Sequence, residues 1–212
     1  MIAPEGWIFV WLPSTVGAGA LVVGWPWLGW PLIAVGVFSL FFFRNPDRHC
    51  NHPPEIACSP ADGRVVVVGH APADLVERGL PTQISVFMSV FNVHVNRAPA
   101  DGTLVEYLYN PGRKISAFKD KASMENEQNL SVWEGPYGRI AFKQIAGLIA
   151  RRIVFDHALG DSVARGDRVG LIRYGSRLDV FLPATAEALV AVGDRVRAGS
   201  SPLARLRPVV EP

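Results

Sequence analysis

The sequence predicts a mainly β domain, built as a barrel or sandwich with few short helices and preceded by an N-terminal membrane-associated helical hairpin. Two observations support this prediction: an uncharged apolar segment near the N-terminus, and short β-rich runs after residue 56 that are separated by turn-forming residues. The length of 212 residues suits one domain with a modest appendage. We place the boundary between residues 43 and 44.

The N-terminal segment is the strongest compositional feature. No Asp, Glu, Lys or Arg occurs at positions 6–43, although 19% of the chain is charged. One spanning helix needs about 20 apolar residues, so the segment is slightly short for two full passes. Residues 25–31 combine Pro and Trp, as an interfacial turn would. We therefore expect helices at 7–24 and 29–43 that either span twice or dip into one leaflet.

Arg44 and Arg48 follow this hairpin directly. Basic residues mark the cytoplasmic ends of membrane segments, so the following domain is expected on the cytoplasmic side of the inner membrane. An alternative stays open, in which the two helices are core helices of a soluble protein, because Pro13 and several glycines weaken them.

The remainder of the chain is predicted to form strands connected by turns. Turn-forming residues such as Asp62–Gly63 and those at 99–102 separate the β-rich runs. Residues 144–154 fit either a short helix or a further strand. The clearest runs lie at 65–68, 84–88, 93–95, 104–107, 130–133 and 139–142.

Composition and spacing exclude several classes of function. A net charge of +2 argues against a dedicated nucleic-acid binder. Cys50 and Cys58 are too few for a disulfide framework, and the five histidines match no metal motif, so no metal site is expected. The sequence also lacks a P-loop, a dinucleotide fingerprint and a nucleophile elbow.

His94 is the histidine that best suits chemistry, since it interrupts the apolar run 91–97, which we expect to be a strand. A histidine in a strand is more often a hydrogen-bonded core residue than a catalyst. Asp62, between Ala61 and Gly63, is by the same reasoning an ordinary turn residue. Spacing alone therefore gives candidates and no reaction.

Residues 173–183 suggest a reaction. They resemble the cleavage-site motif of the phosphatidylserine decarboxylase family, in its short, membrane-associated bacterial form. At position 45 this chain has Asn where the family usually has Asp. Arg97 stands where the longer members of the family, its long branch, have a second histidine. Further segments that resemble the family follow in the same order at 42–48, 59–63, 91–97, 117–122, 125–129 and 144–152.

The resemblance implies a pyruvoyl-dependent decarboxylase that cuts its own chain between Gly175 and Ser176. The resulting chains, 1–175 and 176–212, would form a heterodimer, and Ser176 would become the covalent pyruvoyl group. The implied reaction converts phosphatidylserine in the membrane to phosphatidylethanolamine through a Schiff base between this group and the substrate amine. His94 would carry protons in cleavage, turnover or both, and Asp62 would orient it.

Other interpretations stay open. Residues 192–199 resemble a turn of biotinyl/lipoyl-type barrels, which would suit a membrane-anchored, non-catalytic adaptor. No lysine follows Lys143, which excludes a swinging-arm carrier. A related serine phospholipid is a second alternative substrate, and a higher oligomer is compatible with the sequence. The candidate contacts with anionic lipid are Lys114, Lys119 and Lys121.

Overall fold

The computed structural model describes residues 1–112, 126–147, 152–173 and 175–208. The chain divides into two compact units, Met1–Asp47 and Arg48–Pro212.

The N-terminal unit is a helical hairpin, as the sequence predicts. A 3-10 turn at Pro4–Gly6 leads into α1 (Trp7–Val22), and α2 (Pro26–Phe42) returns against it. Pro13 lies inside α1 and does not end it. The helices pack closely at Gly36, where an added Cβ would lie 2.1 Å from Ser14 Oγ. Among the described residues, no helix combines the length and the hydropathy that crossing a membrane requires.

The second unit is mainly β, which confirms the predicted class. Its short helix, α3, spans Ala73–Glu77. The described strands are β1 (Ile56–Cys58), β2 (Gly63–His70), β3 (Thr82–Met88), β4 (Val95–Arg97), β5 (Gly102–Asn110), β6 (Gln128–Gly135), β7 (Gly138–Ala146), β8 (Ile153–Phe155), β9 (Ser162–Val163), β10 (Arg168–Ile172), β11 (Ser176–Leu182), β12 (Glu187–Ala188), β13 (Arg195–Val196) and β14 (Pro202–Arg205).

Eight of these strands form one antiparallel sheet in the order β13-β2-β3-β11-β7-β6-β5-β9. Two smaller sheets have the orders β4-β10-β8 and β1-β14-β12. Among the described strands of the large sheet, β13 and β9 are the two edge strands and do not pair with each other. This sheet is therefore open and is not the closed barrel that was one of the predicted forms. Strand β11 lies inside it, between β3 and β7.

Strand β11 is buried along its whole length because both faces of the sheet are covered. Leu178 and Val180 pack with Ile84 and Val86 in the main core, whereas Phe181 points into a second cluster that includes Leu75 of α3. Each such side chain stabilises the fold by about 1.5–3 kcal/mol through burial. The first residue of β11 is therefore held at a fixed position.

Three local features differ from the sequence prediction or add to it. His94 lies in the connection before β4 and not in a strand, because the chain turns at 89–92. In the ambiguous stretch 144–154, β7 continues to Ala146 and β8 begins at Ile153, while 148–151 lie outside the described residues.

The third feature is the pair of cysteines, for which the sequence indicated no structural role. Cys50 and Cys58 form a disulfide, with their Cα atoms 6.4 Å apart. This separation lies within the usual range for disulfides. The bond ties the connector after the hairpin to β1.

Candidate active site

The candidate active site centres on the peptide bond between Gly175 and Ser176. Gly175 has a φ of 71°, in the left-handed region that favours glycine. Ser176 begins β11, is completely buried, and pairs with Met88 on one side and Ala146 on the other. Its Oγ lies 3.8 Å from the sulfur of Met88. The backbone on the C-terminal side of this bond is thus fixed by two neighbouring strands.

His94 faces this bond with its Nε2 atom. The Gly175 N–H donates to Nε2 at 3.3 Å, so Nε2 is the unprotonated ring nitrogen. The other ring nitrogen, Nδ1, lies 3.1 Å from the carbonyl oxygen of Asn92, which can only accept. These two partners assign the neutral tautomer with its proton on Nδ1. The imidazole, which is completely buried, therefore presents a proton acceptor to the Gly175–Ser176 segment.

The Asn92 carbonyl is held in place by a tight turn. The side-chain oxygen of Asn92 accepts hydrogen bonds from the Ser89 N–H at 2.9 Å and from the Ser89 hydroxyl at 2.8 Å. The backbone N–H of Asn92 returns a bond to the Ser89 carbonyl at 2.9 Å. The partner of His94 Nδ1 is therefore held by a local turn of the type that Asn and Ser favour.

The carbonyl oxygen of Gly175 also has a donor. The backbone N–H of Gly147, just after β7, donates to it at 2.9 Å. A fixed backbone donor on a carbonyl stabilises the negative charge that develops on the oxygen when a nucleophile attacks the carbon. Sequence reasoning missed both this donor and the Asn92 carbonyl, because backbone groups leave no residue-type signal.

A buried ion pair follows the site on β11. Arg177 Nε donates to Asp179 Oδ1 at 2.6 Å, and Arg177 Nη2 donates to Ser85 Oγ of β3 at 3.1 Å. Arg177 is 5% exposed and Asp179 is 1% exposed. Buried charges require such partners, and this pair ties β11 to β3 directly after Ser176.

Asp62, which was predicted to orient His94, has other described partners. Its carboxylate forms a two-point ion pair with Arg48 and accepts the Ala198 N–H at 2.8 Å. Among the described contacts of Asp62, none joins it to His94. Its catalytic role stays a prediction. The side chain of Arg97, at the position of the long branch's second histidine, donates to the Gly166 carbonyl at 2.8 Å.

Several sequence-predicted features lie outside the described residues. They are Tyr174 of the cleavage motif, the segment 117–122, and the candidate lipid contacts Lys114, Lys119 and Lys121. The structure thus brings together Gly175, Ser176 and His94 from the predicted set.

These parts suit an acyl transfer within the chain. Ser176 supplies a hydroxyl, His94 an unprotonated nitrogen beside the Gly175–Ser176 peptide, and Gly147 a donor on the Gly175 carbonyl. A nucleophile, a base and an oxyanion donor are the elements that such a reaction needs.

The fold and this site define a β-rich protein in which a buried serine and a histidine nitrogen lie at the same peptide bond. The family model for phosphatidylserine decarboxylase matches residues 35–204. The chain belongs to this family, whose members are decarboxylases, that is, carboxy-lyases.

Curated relatives match nearly the whole chain. The phosphatidylserine decarboxylase proenzyme of Magnetococcus marinus is 40% identical over 98% of this chain and 96% of its own length. The proenzyme of the same name from Polynucleobacter asymbioticus is 45% identical, covering 97% of this chain and 95% of its own. That of Solibacter usitatus is 47% identical over 89% of this chain and 90% of its own.

Proposed function

We propose that this chain cleaves its own Gly175–Ser176 bond and then decarboxylates phosphatidylserine to phosphatidylethanolamine with a pyruvoyl group derived from Ser176. The observation that carries the proposal is the hydrogen bond from the Gly175 N–H to His94 Nε2, which sets a basic nitrogen at the predicted cleavage site. The proenzyme names of the relatives support the same reaction.

In the cleavage step, His94 Nε2 accepts the hydroxyl proton of Ser176 while Oγ bonds to the Gly175 carbonyl carbon. The Gly147 N–H stabilises the oxyanion that forms. The C–N bond then breaks, and the Ser176 nitrogen takes up a proton, which leaves an ester. Loss of the Ser176 Cα proton expels Gly175 as a carboxylate, and water converts the resulting dehydroalanine to pyruvoyl with release of ammonia.

The residues around Ser176 fit a group formed in place. Ser176 is fully buried at the start of β11, so the new chain end would be shielded from bulk solvent. The pyruvoyl group would supply a ketone that withdraws the electrons released with CO₂. His94 would deliver the proton that replaces the carboxyl group on the product, because a protonated imidazole is an effective acid near neutral pH. Asn92 would keep the ring oriented through its carbonyl.

We also propose that the two product chains, 1–175 and 176–212, remain together as a heterodimer. Strand β11 belongs to the second chain yet lies between β3 and β7 of the first. The Arg177–Ser85 hydrogen bond crosses the same boundary. Separation would expose these strands and their buried charges, which is energetically costly.

For the wild-type protein we expect two chains on a denaturing gel, with the smaller one resistant to N-terminal sequencing because it lacks an amino group. Incubation with vesicles containing phosphatidylserine should release CO₂ and yield phosphatidylethanolamine, which mass spectrometry detects. A single intact chain that retains an ordinary serine would overturn the proposal.

We further propose that the hairpin associates with the cytoplasmic face of the inner membrane. Its helices carry many exposed apolar side chains, among them Ile8, Trp27 and Val37 at 64%, 73% and 60% exposure. Burial of such side chains in a bilayer is favourable, and Trp suits the interface. The substrate, a membrane lipid, would then be reached by lateral diffusion.

Deletion of residues 1–43 should weaken retention on vesicles, because this removes the exposed apolar surface of α1 and α2. The measurement is flotation with phosphatidylserine-containing vesicles at high salt, which screens residual attraction of basic side chains. Trp27→Glu with Val37→Glu in the full chain is the matched milder variant and should also reduce flotation. Full retention of the truncated protein at high salt would refute the hairpin as the main anchor.

A further inference from the structure

A polar cleft of about 570 Å³ adjoins the candidate active site. It lies where β2 begins, where the chain turns after β3, and along the segment that contains β13. The residues that line it include Asp62, Asn92, Arg195, Arg197, Ser200 and Ser201. Neither the proposed cleavage nor the proposed proton transfer uses this cleft.

The cleft carries uncompensated positive charge. Arg195 and Arg197 are exposed, and their guanidinium groups have no ion-pair or hydrogen-bond partner among the described residues. Among the described residues that line the cleft, Asp62 supplies the one carboxylate, which is neutralised by its two-point ion pair with Arg48. Two arginines therefore face the cleft without a counter-charge there.

The register of the sheet adds a further positive charge. Arg195 of β13 pairs directly with Arg64 of β2, and Arg64 is exposed and likewise lacks a described partner. Like charges directly opposite each other on neighbouring strands destabilise the pairing. An anion bound beside Arg195 would offset this repulsion.

The cleft also has a defined relation to the site chemistry. Asn92 lines the cleft, and its carbonyl holds Nδ1 of His94, whose Nε2 faces Gly175. The cleft therefore begins next to the residue that orients the imidazole. In a serine phospholipid, only a few bonds separate the phosphodiester from the carboxyl group that is lost.

We propose that Arg195 and Arg197 bind the phosphodiester of the phospholipid substrate in this cleft, an inference that rests on the proposed function. The planar guanidinium group matches phosphate oxygens with paired hydrogen bonds, which are among the stronger ones in proteins. The hydroxyls of Ser200 and Ser201 lie on the same wall and offer further donors. Binding there would place the serine part of the substrate toward His94.

The test is calorimetric binding of glycerophosphoethanolamine, a soluble head-group probe without acyl chains, to the full-length protein in detergent. The double variant Arg195→Gln with Arg197→Gln should bind at least tenfold more weakly, because two charge-assisted hydrogen-bond donors are lost. Arg139→Gln, the control for each single arginine variant, removes one positive charge from an exposed site that does not line the cleft, and should bind as the wild type does. The affinity of Arg197→Lys should lie between those of the wild type and the double variant, since lysine keeps the charge but lacks the paired N–H donors of the guanidinium group.

Equal affinity in the double variant and the wild type would overturn the proposal, as would an equal loss in Arg139→Gln. Inorganic phosphate is the second probe, and it should compete with glycerophosphoethanolamine. Binding of phosphate without binding of the head-group probe would show a free-phosphate site and refute the proposal. Each single arginine variant repeats the measurement if the double variant fails to fold. Because the probe does not need cleavage or turnover, this result is independent of whether the wild type proves to be a self-cleaving decarboxylase.

Discussion

Ser176→Ala is expected to remain a single chain and to release no CO₂ from phosphatidylserine. The variant has no hydroxyl to attack the Gly175 carbonyl, so neither the ester nor the pyruvoyl group can form. Loss of a nucleophile lowers the rates of covalent catalysis by about 10⁶-fold where this has been measured. Intact-mass spectrometry after prolonged incubation would show one species with the full mass, and the CO₂ assay would stay at background.

Two further variants make this result specific. Ser176→Cys keeps a nucleophile of similar size and should be cleaved, although at a different rate from the wild type. Ser162→Ala, at an exposed residue of the short strand β9, removes a hydroxyl away from the site and should be cleaved normally. Cleavage of Ser176→Ala at position 175 would show that the chain is cut by another route, and would remove Ser176 from the mechanism.

The fold class was predictable because its signals are local. Short β-rich runs and the turn-forming residues between them indicated strands at positions 84–88 and 139–142, which lie in β3 and β7. The uncharged N-terminal segment with its Pro- and Trp-containing break indicated two helices, and α1 and α2 lie close to the predicted bounds. The open edges of the large sheet depend on long-range pairing, which a local pattern does not encode.

The site was predictable only in part, for a similar reason. Ser176, Gly175 and His94 have distinctive side chains or motif positions, and the structure brings them together. The described partner of His94 Nδ1 is a backbone carbonyl, that of Asn92, and the donor on the Gly175 carbonyl is the backbone N–H of Gly147. Every residue carries these groups, so the sequence gives no indication of which ones are used.

The partners of Asp62 were also not predictable from the residue type alone. An Asp near a catalytic histidine is a familiar orienting partner, and the resemblance to the family suggested it. In the described structure the Asp62 carboxylate pairs with Arg48 and accepts a hydrogen bond from the Ala198 N–H, and Asp62 lines the polar cleft. Arg48 is 14 residues from Asp62, across an irregular connector, and no local sequence pattern indicates that the two side chains would pair.

His94→Gln should impair both proposed reactions, and the two effects can be separated. Glutamine keeps a polar side chain of moderate size but cannot exchange a proton near neutral pH. General acid–base catalysis by a positioned side chain contributes about 10²–10⁴-fold, and we expect losses of that size. Cleavage needs the unprotonated ring that the Gly175 N–H contact indicates, whereas protonation of the product needs the protonated ring. A time course of chain cleavage measures the first loss, and CO₂ release per cleaved chain measures the second.

The control is His70→Gln, at the exposed end of β2, which should cleave and turn over as the wild type does. We expect His94→Gln to accumulate as uncut protein, with slow partial cleavage, and the cleaved fraction to turn over poorly. Cleavage at the wild-type rate with slow turnover would confine His94 to product protonation and leave the base for Ser176 to another group. Normal rates of both reactions would contradict the assignment altogether, because the contacts to Gly175 and Asn92 would then hold only a structural imidazole.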